Sequence, residues 1–225
     1  MTINTKKLAG ISAAKLVKSG MVVGLGTGST TAYTIEEIGR RIKKEGIKVL
    51  AVHTSAASEK LAKKKGIPLT SLDKHPVLDI AIDGADQVDA RLNLIKGGWG
   101  AQTMEKVVAM SAKKFIVVVD ESKAVKKLSM PVPLEVLPSA KKLVEMQIKN
   151  LGGKTKLRDY KAESGNLLID ADFGTIEKPD KLDCALSKVV GVVGHGIFPR
   201  RMVAEVHVGK KNGVLILKRY VLTMI

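Results

Sequence analysis

The sequence predicts an α/β fold: a mostly parallel sheet crossed by helices, with a smaller α+β unit attached. Three observations carry this expectation. Strand-length apolar stretches alternate with helical patterns through the first half, as they do where parallel strands are joined by crossover helices. Small polar and acidic residues recur just after those stretches. Near residue 130 prolines interrupt the alternation and the texture changes.

Residues 5–18 read as a first helix. Met21 to Gly26 follows as a buried strand, and after the Thr27-Gly28-Ser29-Thr30 turn a helix runs to about Lys44. Lys48 to His53 is a second strand, with a Thr54-Ser55 turn and a helix to Lys65. Asp79 to Ile82 and Lys114 to Val119 are further strands, separated by a helix from Gly100 to Ser111 with apolar residues at Met104, Val107 and Val108. Pro131, Pro133 and Pro138 mark a stretch that should continue neither a helix nor a central strand, because proline lacks the N–H that a ladder needs. A domain boundary is therefore expected there. Ser139 to Leu151 reads as a helix, Lys154 to Tyr160 and Leu167 to Ala171 as strands around a Glu163-Ser164-Gly165-Asn166 turn, then a helix from Asp180 to Ser187 and a strand from Val189 to Val193. Ala204 to Val208 and Val214 to Lys218 read as a hairpin about Asn212-Gly213.

Composition narrows the function. Hydrophobic residues at 45% can fill a substantial core, and no apolar run approaches a membrane span, so a soluble cytoplasmic protein without membrane contact is expected. One cysteine, Cys184, allows no internal disulfide and no cysteine-based metal site; it reads as a small buried hydrophobe. Net charge is +16, which would suit phosphates, yet aromatic residues are only 3%, too few for base-stacking platforms. The lysines are spread over several helices and read as solvated surface. No nucleic-acid partner is expected; an anionic small molecule fits better.

Four polar segments follow predicted strand ends: Thr27 to Thr30, Thr54-Ser55, Asp83 to Asp86 and Asp120 to Lys123. Ligands of open α/β sheets bind beyond those ends, so the four should meet at one crevice. Gly24-Leu25-Gly26-Thr27-Gly28-Ser29-Thr30 leads from a strand into a helix, where glycines, hydroxyls and free amides favour a phosphate. Ser29 stands where a dinucleotide fingerprint needs its third glycine, and no P-loop lysine follows; a plain capped turn is the alternative. Asp83-Gly84-Ala85-Asp86-Gln87-Val88-Asp89 lacks calcium-loop spacing. Its paired carboxylates could move protons or simply serve turn chemistry. Lys96-Gly97-Gly98-Trp99-Gly100 with Glu105 supplies an ammonium and a carboxylate suited to proton abstraction beside a carbonyl; an ordinary flexible loop is the alternative. His53 sits near the crevice, and structural roles are expected for all four histidines.

Taken together, the loop at 24–30, Asp83-Gly84-Ala85-Asp86, Lys96-Gly97-Gly98 with Glu105-Lys106, Asp120-Glu121-Ser122-Lys123, Pro131-Val132-Pro133-Leu134-Glu135-Val136 and Gly194-His195-Gly196-Ile197-Phe198 resemble the A-type ribose-5-phosphate isomerases, over essentially the whole chain. The resemblance implies a doubly wound catalytic domain, residues 1–130 plus 204–225, with a smaller α+β domain inserted at 131–203. It implies interconversion of D-ribose 5-phosphate and D-ribulose 5-phosphate in the pentose phosphate pathway, without cofactor or metal, by a homodimer or homotetramer. Residue by residue, Glu105 matches the general base that works through a cis-enediolate. Asp83 and Asp86 match the carboxylates that contact the sugar and assist ring opening and hydroxyl proton transfer. Lys96, with the Gly97 and Gly98 amides, matches the enediolate-stabilising part. Thr27, Gly28, Ser29 and Thr30 match the substrate loop, joined by Gly84, Ala85 and Trp99, and Lys6 and Lys123 match nearby cations. Trp99 stands where the family usually has glycine, Met104 where it often has arginine and Gln87 where glutamate is frequent. A sugar-phosphate sensor without catalysis is the other reading, and it would call for an appended DNA-binding helix-turn-helix.

Overall fold

The computed structural model describes residues 3–219; the ends of the expected catalytic domain, 1–2 and 220–225, lie outside them. In chain order the elements are α1 (Thr5–Ala14), β1 (Val22–Leu25), α2 (Ser29–Glu45), β2 (Leu50–His53), α3 (Ala56–Lys65), β3 (Ile80–Asp83), β4 (Gln87–Asp89), β5 (Leu94–Ile95), α4 (Gln102–Met110), β6 (Phe115–Asp120) and β7 (Ala124–Val125). They continue with β8 (Val132–Val136), α5 (Lys141–Asn150), β9 (Lys154–Lys161), β10 (Leu167–Asp172), α6 (Pro179–Leu186), β11 (Val192–His195), β12 (Ile197–Phe198), β13 (Glu205–Lys210) and β14 (Gly213–Lys218).

The main sheet has the order β14-β13-β6-β3-β1-β2. Every pairing in it is parallel except the terminal β13–β14 hairpin, which docks alongside β6. Strands β3 and β6 are buried at every position, as expected where helices cover both faces of a parallel sheet. One face packs Ala9, Ala13, Ile35, Ile38 and Ala62 of α1–α3 against Val23, Ile82 and Val118. The other packs Val108 and Ala109 of α4 with Val117, Val119 and Val206. From β1 the chain steps outward to β2, whereas β3 lies on the opposite side, so the strand order reverses between β1 and β3. That reversal opens a crevice at the carboxyl ends of both strands.

A second sheet, ordered β11-β8-β10-β9 and antiparallel, buries Val132, Leu134, Val136 and Ile169 against Val144 and Ile148 of α5 and Leu186 of α6. A third, ordered β12-β5-β4-β7, is made of very short strands; its pieces were not visible in the sequence pattern. No helix among the described residues is long and apolar enough to cross a membrane.

Three expectations need correction. Pro133 lies within β8, an interior strand between β10 and β11. Its carbonyl accepts from Gly196 at 2.8 Å, so its nitrogen faces that same edge, just past the last β11 ladder partner, His195 opposite Leu134, where no donor is required. Cys184 is exposed, because α6 turns Asp183 inward instead, toward Lys106 and Arg201. The first helix stops at Ala14, where Arg41 takes the carbonyls of Ala14 and Val17 at 2.7 and 2.8 Å.

Candidate active site

Where the strand order reverses, β1 and β3 end side by side. A Cβ on Gly26 would collide with the Asp83 carboxyl, so only glycine lets that carboxylate lie against β1. There Asp83 Oδ1 accepts from the Thr27 amide at 2.9 Å and the Gly84 amide at 2.7 Å. Beyond, α2 begins at Ser29, preceded by Gly28, which supplies no side-chain cap, leaving its first amides and dipole to face a cavity of about 220 Å³. Lys6, bonded through Nζ to Ser29 Oγ at 3.0 Å, and Lys123 border the same end. An uncapped helix start with two lysines is an anion seat.

The other end is an acid–base cluster. Lys96 leaves β5 with its amide bonded to the Gly196 carbonyl at 2.9 Å, and its side chain is only 2% exposed. Nζ donates to the Gly84 carbonyl at 2.6 Å, lies 3.0 Å from Asp83 Oδ2 and 3.3 Å from Glu105 Oε2, and sits 5.5 Å above the Phe198 ring. Glu105 is on the first turn of α4, buried, and its Oε2 has no hydrogen-bond partner beyond this ion pair. Burial favours neutral Lys96, but Asp83 and Glu105 outweigh it and push the ammonium above the usual lysine range. Burial pushes the Asp83 carboxyl up, opposed by Lys96 and the two amides. Burial and the Asp83 charge push Glu105 up to about 8, with Lys96 opposing.

Two buried carboxyls beside one ammonium cannot both stay ionised at low cost, so they share a proton. Asp83 has the two amide donors and the shorter ion pair, which leaves the proton on Glu105 at neutral pH. A carboxyl held near neutrality beside a fixed ammonium can accept a proton while the ammonium steadies a developing oxyanion.

Among the expected site residues, Lys6, Thr27, Gly28, Ser29, Thr30, Gly84, Ala85, Asp86, Lys96, Gly97, Gly98, Trp99, Glu105 and Lys123 all line the one cavity. Asp83 lies beneath it, under Lys96. Thr54 and Ser55, expected at the crevice, stand behind the loop and bond Thr27 Oγ1 at 2.8 and 2.6 Å. The Gly98 amide donates to Asp86 Oδ2 at 2.8 Å. Trp99 is 75% exposed and stands on the rim shared with a second cavity bounded by Ile35, Leu61 and Ala162. Gln87 holds the Ser129 and Met130 amides at 2.8 and 3.0 Å, and Met104 is exposed on α4, away from the cavity. His53 is half-buried and does not line the cavity.

One lining residue, Thr31, was missed, and another, Asp120, was placed at the crevice only as part of its segment. Thr31 has a buried hydroxyl without a partner, and its place one residue past the loop was the available signal. Asp120 belongs to a segment assigned to the crevice; partial burial raises its carboxyl, but Ser122, Lys6 and Lys123 outweigh that and hold it low. Among the described residues no group of three or more His, Cys, Asp or Glu is arranged to hold a metal.

Fold and site define a doubly wound α/β protein with an anion-accepting loop opposite a buried lysine–carboxylate pair. The family model for ribose 5-phosphate isomerase A (phosphoriboisomerase A) matches residues 50–213. Ribose-5-phosphate isomerase A of Methanosarcina acetivorans is 52% identical over 93% of this chain and 92% of its own. That of Streptococcus gordonii is 47% identical over 96% and 98%. The solved ribose 5-phosphate isomerase A of Methanocaldococcus jannaschii superposes with a TM-score of 0.91 at 43% identity, covering 96% of this chain and 98% of that one. A D-ribose-5-phosphate isomerase solved in complex with phospho-erythronic acid gives 0.92 at 41%, covering 96% and 100%. The chain belongs to the ribose 5-phosphate isomerase A family.

Proposed function

We propose that this chain interconverts D-ribose 5-phosphate and D-ribulose 5-phosphate, and that Glu105 is the base. The observation that carries the reading is the shared cavity: the anion seat at Thr27–Thr30 and the Lys96–Glu105 pair at 3.3 Å line the same small space. The phosphate occupies the loop, with Lys6 and Lys123. The far end of the opened sugar then lies over Lys96 and Glu105.

Ionised Glu105 takes the proton from C2 of the aldose, and the C2–H electron pair forms the C1–C2 double bond while the C1 carbonyl oxygen becomes an oxyanion. That oxygen faces the Lys96 ammonium. The same carboxyl returns the proton to C1, and the hydroxyl proton leaves O2 for O1, a transfer suited to Asp86 at the cavity wall. Asp83 works from below by holding Lys96. A general base is worth roughly 10²- to 10⁴-fold in rate and an oxyanion donor about 10²- to 10³-fold. A phosphorylated acid such as phospho-erythronic acid fits the same space, since its planar carboxylate mimics the enediolate. A non-catalytic sensor is not favoured, because binding alone needs no buried carboxyl with an unpartnered oxygen held 3.3 Å from a buried ammonium.

Residues 1–130 plus 204–225 act as the catalytic unit and 131–203 as its brace. A homodimer or homotetramer is supported by the exposed Met104, Val107 and Met110 along α4 and by Leu143 and Met146 of α5. The single cysteine suits a reducing cytoplasm. The test is ketose formation from ribose 5-phosphate with and without chelator. Equal, substantial rates are expected; no ketose would refute the activity, and chelator-sensitive turnover would refute the metal-free route.

A further inference from the structure

Behind the glycine loop stands a residue that lines none of the catalytic cavity. Arg158 on β9 is largely buried, and its Nε and Nη2 hold the Asp170 carboxylate of β10 at 2.9 and 2.7 Å. This bidentate pair fixes the guanidinium plane. The remaining nitrogen is directed elsewhere: Nη1 donates to the carbonyls of Gly97 at 3.0 Å and Gly98 at 3.2 Å, 61 and 60 positions earlier in the chain, and to Tyr160 Oη at 2.9 Å. Tyr160 Oη in turn donates to the Gly98 carbonyl at 3.1 Å.

The consequence follows from peptide geometry. In a trans peptide the C=O and N–H point to opposite edges. The unit joining Gly97 to Gly98 is thus gripped at both ends, its carbonyl by Arg158 and its N–H by Asp86 Oδ2. The next unit has its carbonyl held by Arg158 and Tyr160, so its N–H, that of Trp99, is turned the opposite way, and it has no protein acceptor among the described residues. A segment with glycine at 97, 98 and 100 has little stiffness of its own beyond one turn bond, from the Gly100 amide to the Gly97 carbonyl at 2.9 Å, which leaves the Gly98 carbonyl to Arg158 and Tyr160. A cross-strand pair serving only the small sheet would need Nε and Nη2 alone.

We infer that Arg158, fixed by Asp170 and aided by Tyr160, is a positioning residue for the isomerisation: from the small unit it sets the orientation of the 97–99 peptides and, through the Gly98 amide, of Asp86. The inference rests on the isomerase reading. A misplacement of about 1 Å in such machinery can cost about 10²-fold in rate.

The test uses the full chain with Arg158→Ala and the charge-keeping Arg158→Lys, which cannot hold Asp170 and both carbonyls together. Turnover of ribose 5-phosphate, affinity for phospho-erythronic acid, melting temperature and the emission of Trp99, the sole tryptophan, are measured for each. With wild type active, kcat is expected to fall about 10- to 100-fold in both variants while KM moves less than about threefold. Affinity for phospho-erythronic acid should fall in step with kcat, and millimolar guanidinium should restore part of the rate of Arg158→Ala. Trp99 emission should shift. If Arg158→Ala fails to fold, Arg158→Lys decides. An Arg158→Lys protein with kcat within twofold of wild type, or one whose loss leaves phospho-erythronic acid affinity unchanged, overturns this inference alone. An inactive wild type overturns the isomerase reading and this inference with it.

Discussion

Asp83 and Glu105 are both buried carboxyls beside one ammonium, yet their surroundings give them different tasks. Asp83 accepts two main-chain N–H bonds and stands 3.0 Å from Lys96; Glu105 has only the ammonium, at 3.3 Å. The proton therefore rests on Glu105, whose carboxyl is pushed up to about 8 by burial and by Asp83. With ionised Glu105 as the proposed base, kcat/KM should rise with pH, pass half its maximum near 8 and level off only above that. A pH–rate profile with ribose 5-phosphate checks this, and one flat from pH 6 to 9 would contradict it. The identity of these residues was legible from spacing and resemblance. Their pairing was not: that Asp83 lies under Lys96 instead of lining the cavity depends on β1 and β3 being neighbours, which local pattern does not specify.

At the scale of elements, the site exists because β1 and β3 end together with nothing between them but hydrogen. Gly26→Ala would drive its methyl into the Asp83 carboxyl. A loss of about 1–3 kcal/mol is expected, as for overpacking in a filled core, together with a fall in kcat/KM as the Thr27 and Gly84 bonds to Asp83 break. Urea unfolding and kinetics of the same sample measure both; unchanged values would show that the contact is not tight. The strands of the main sheet were readable as short continuous apolar runs bounded by turn residues, and the helices between them because each is long enough to show its period. Strands of two or three residues such as β4, β5, β7 and β12 carry no period; β4 and β5 pair across a short turn, whereas β7 and β12 join them from distant segments. Pro133 misled for a related reason: its tolerance depends on where β11 ends, not on β8 itself.

For the whole molecule, the proposed catalysis joins two ends of one cavity, an anion seat at the start of α2 and the Lys96–Glu105 pair just after β5 and on α4, while the small sheet holds the intervening loop from behind. Arg158 could not be found from sequence, since the loop carbonyls it holds lie 60 and 61 residues away and an arginine on a strand reads as surface. Of the residues behind the +16 charge, Lys6 and Lys123 line the cavity beside the Thr27–Thr30 loop, which supports the reading of a small anion. The account separates binding at one end from chemistry at the other, and Glu105→Gln tests that separation most directly. Gln has the shape and neutrality of the protonated carboxyl but cannot accept the proton. Titrating this variant with ribose 5-phosphate while following Trp99 fluorescence and ketose formation should show saturable binding near the wild-type value with turnover reduced by at least about 10²-fold. Turnover close to wild type would contradict the account.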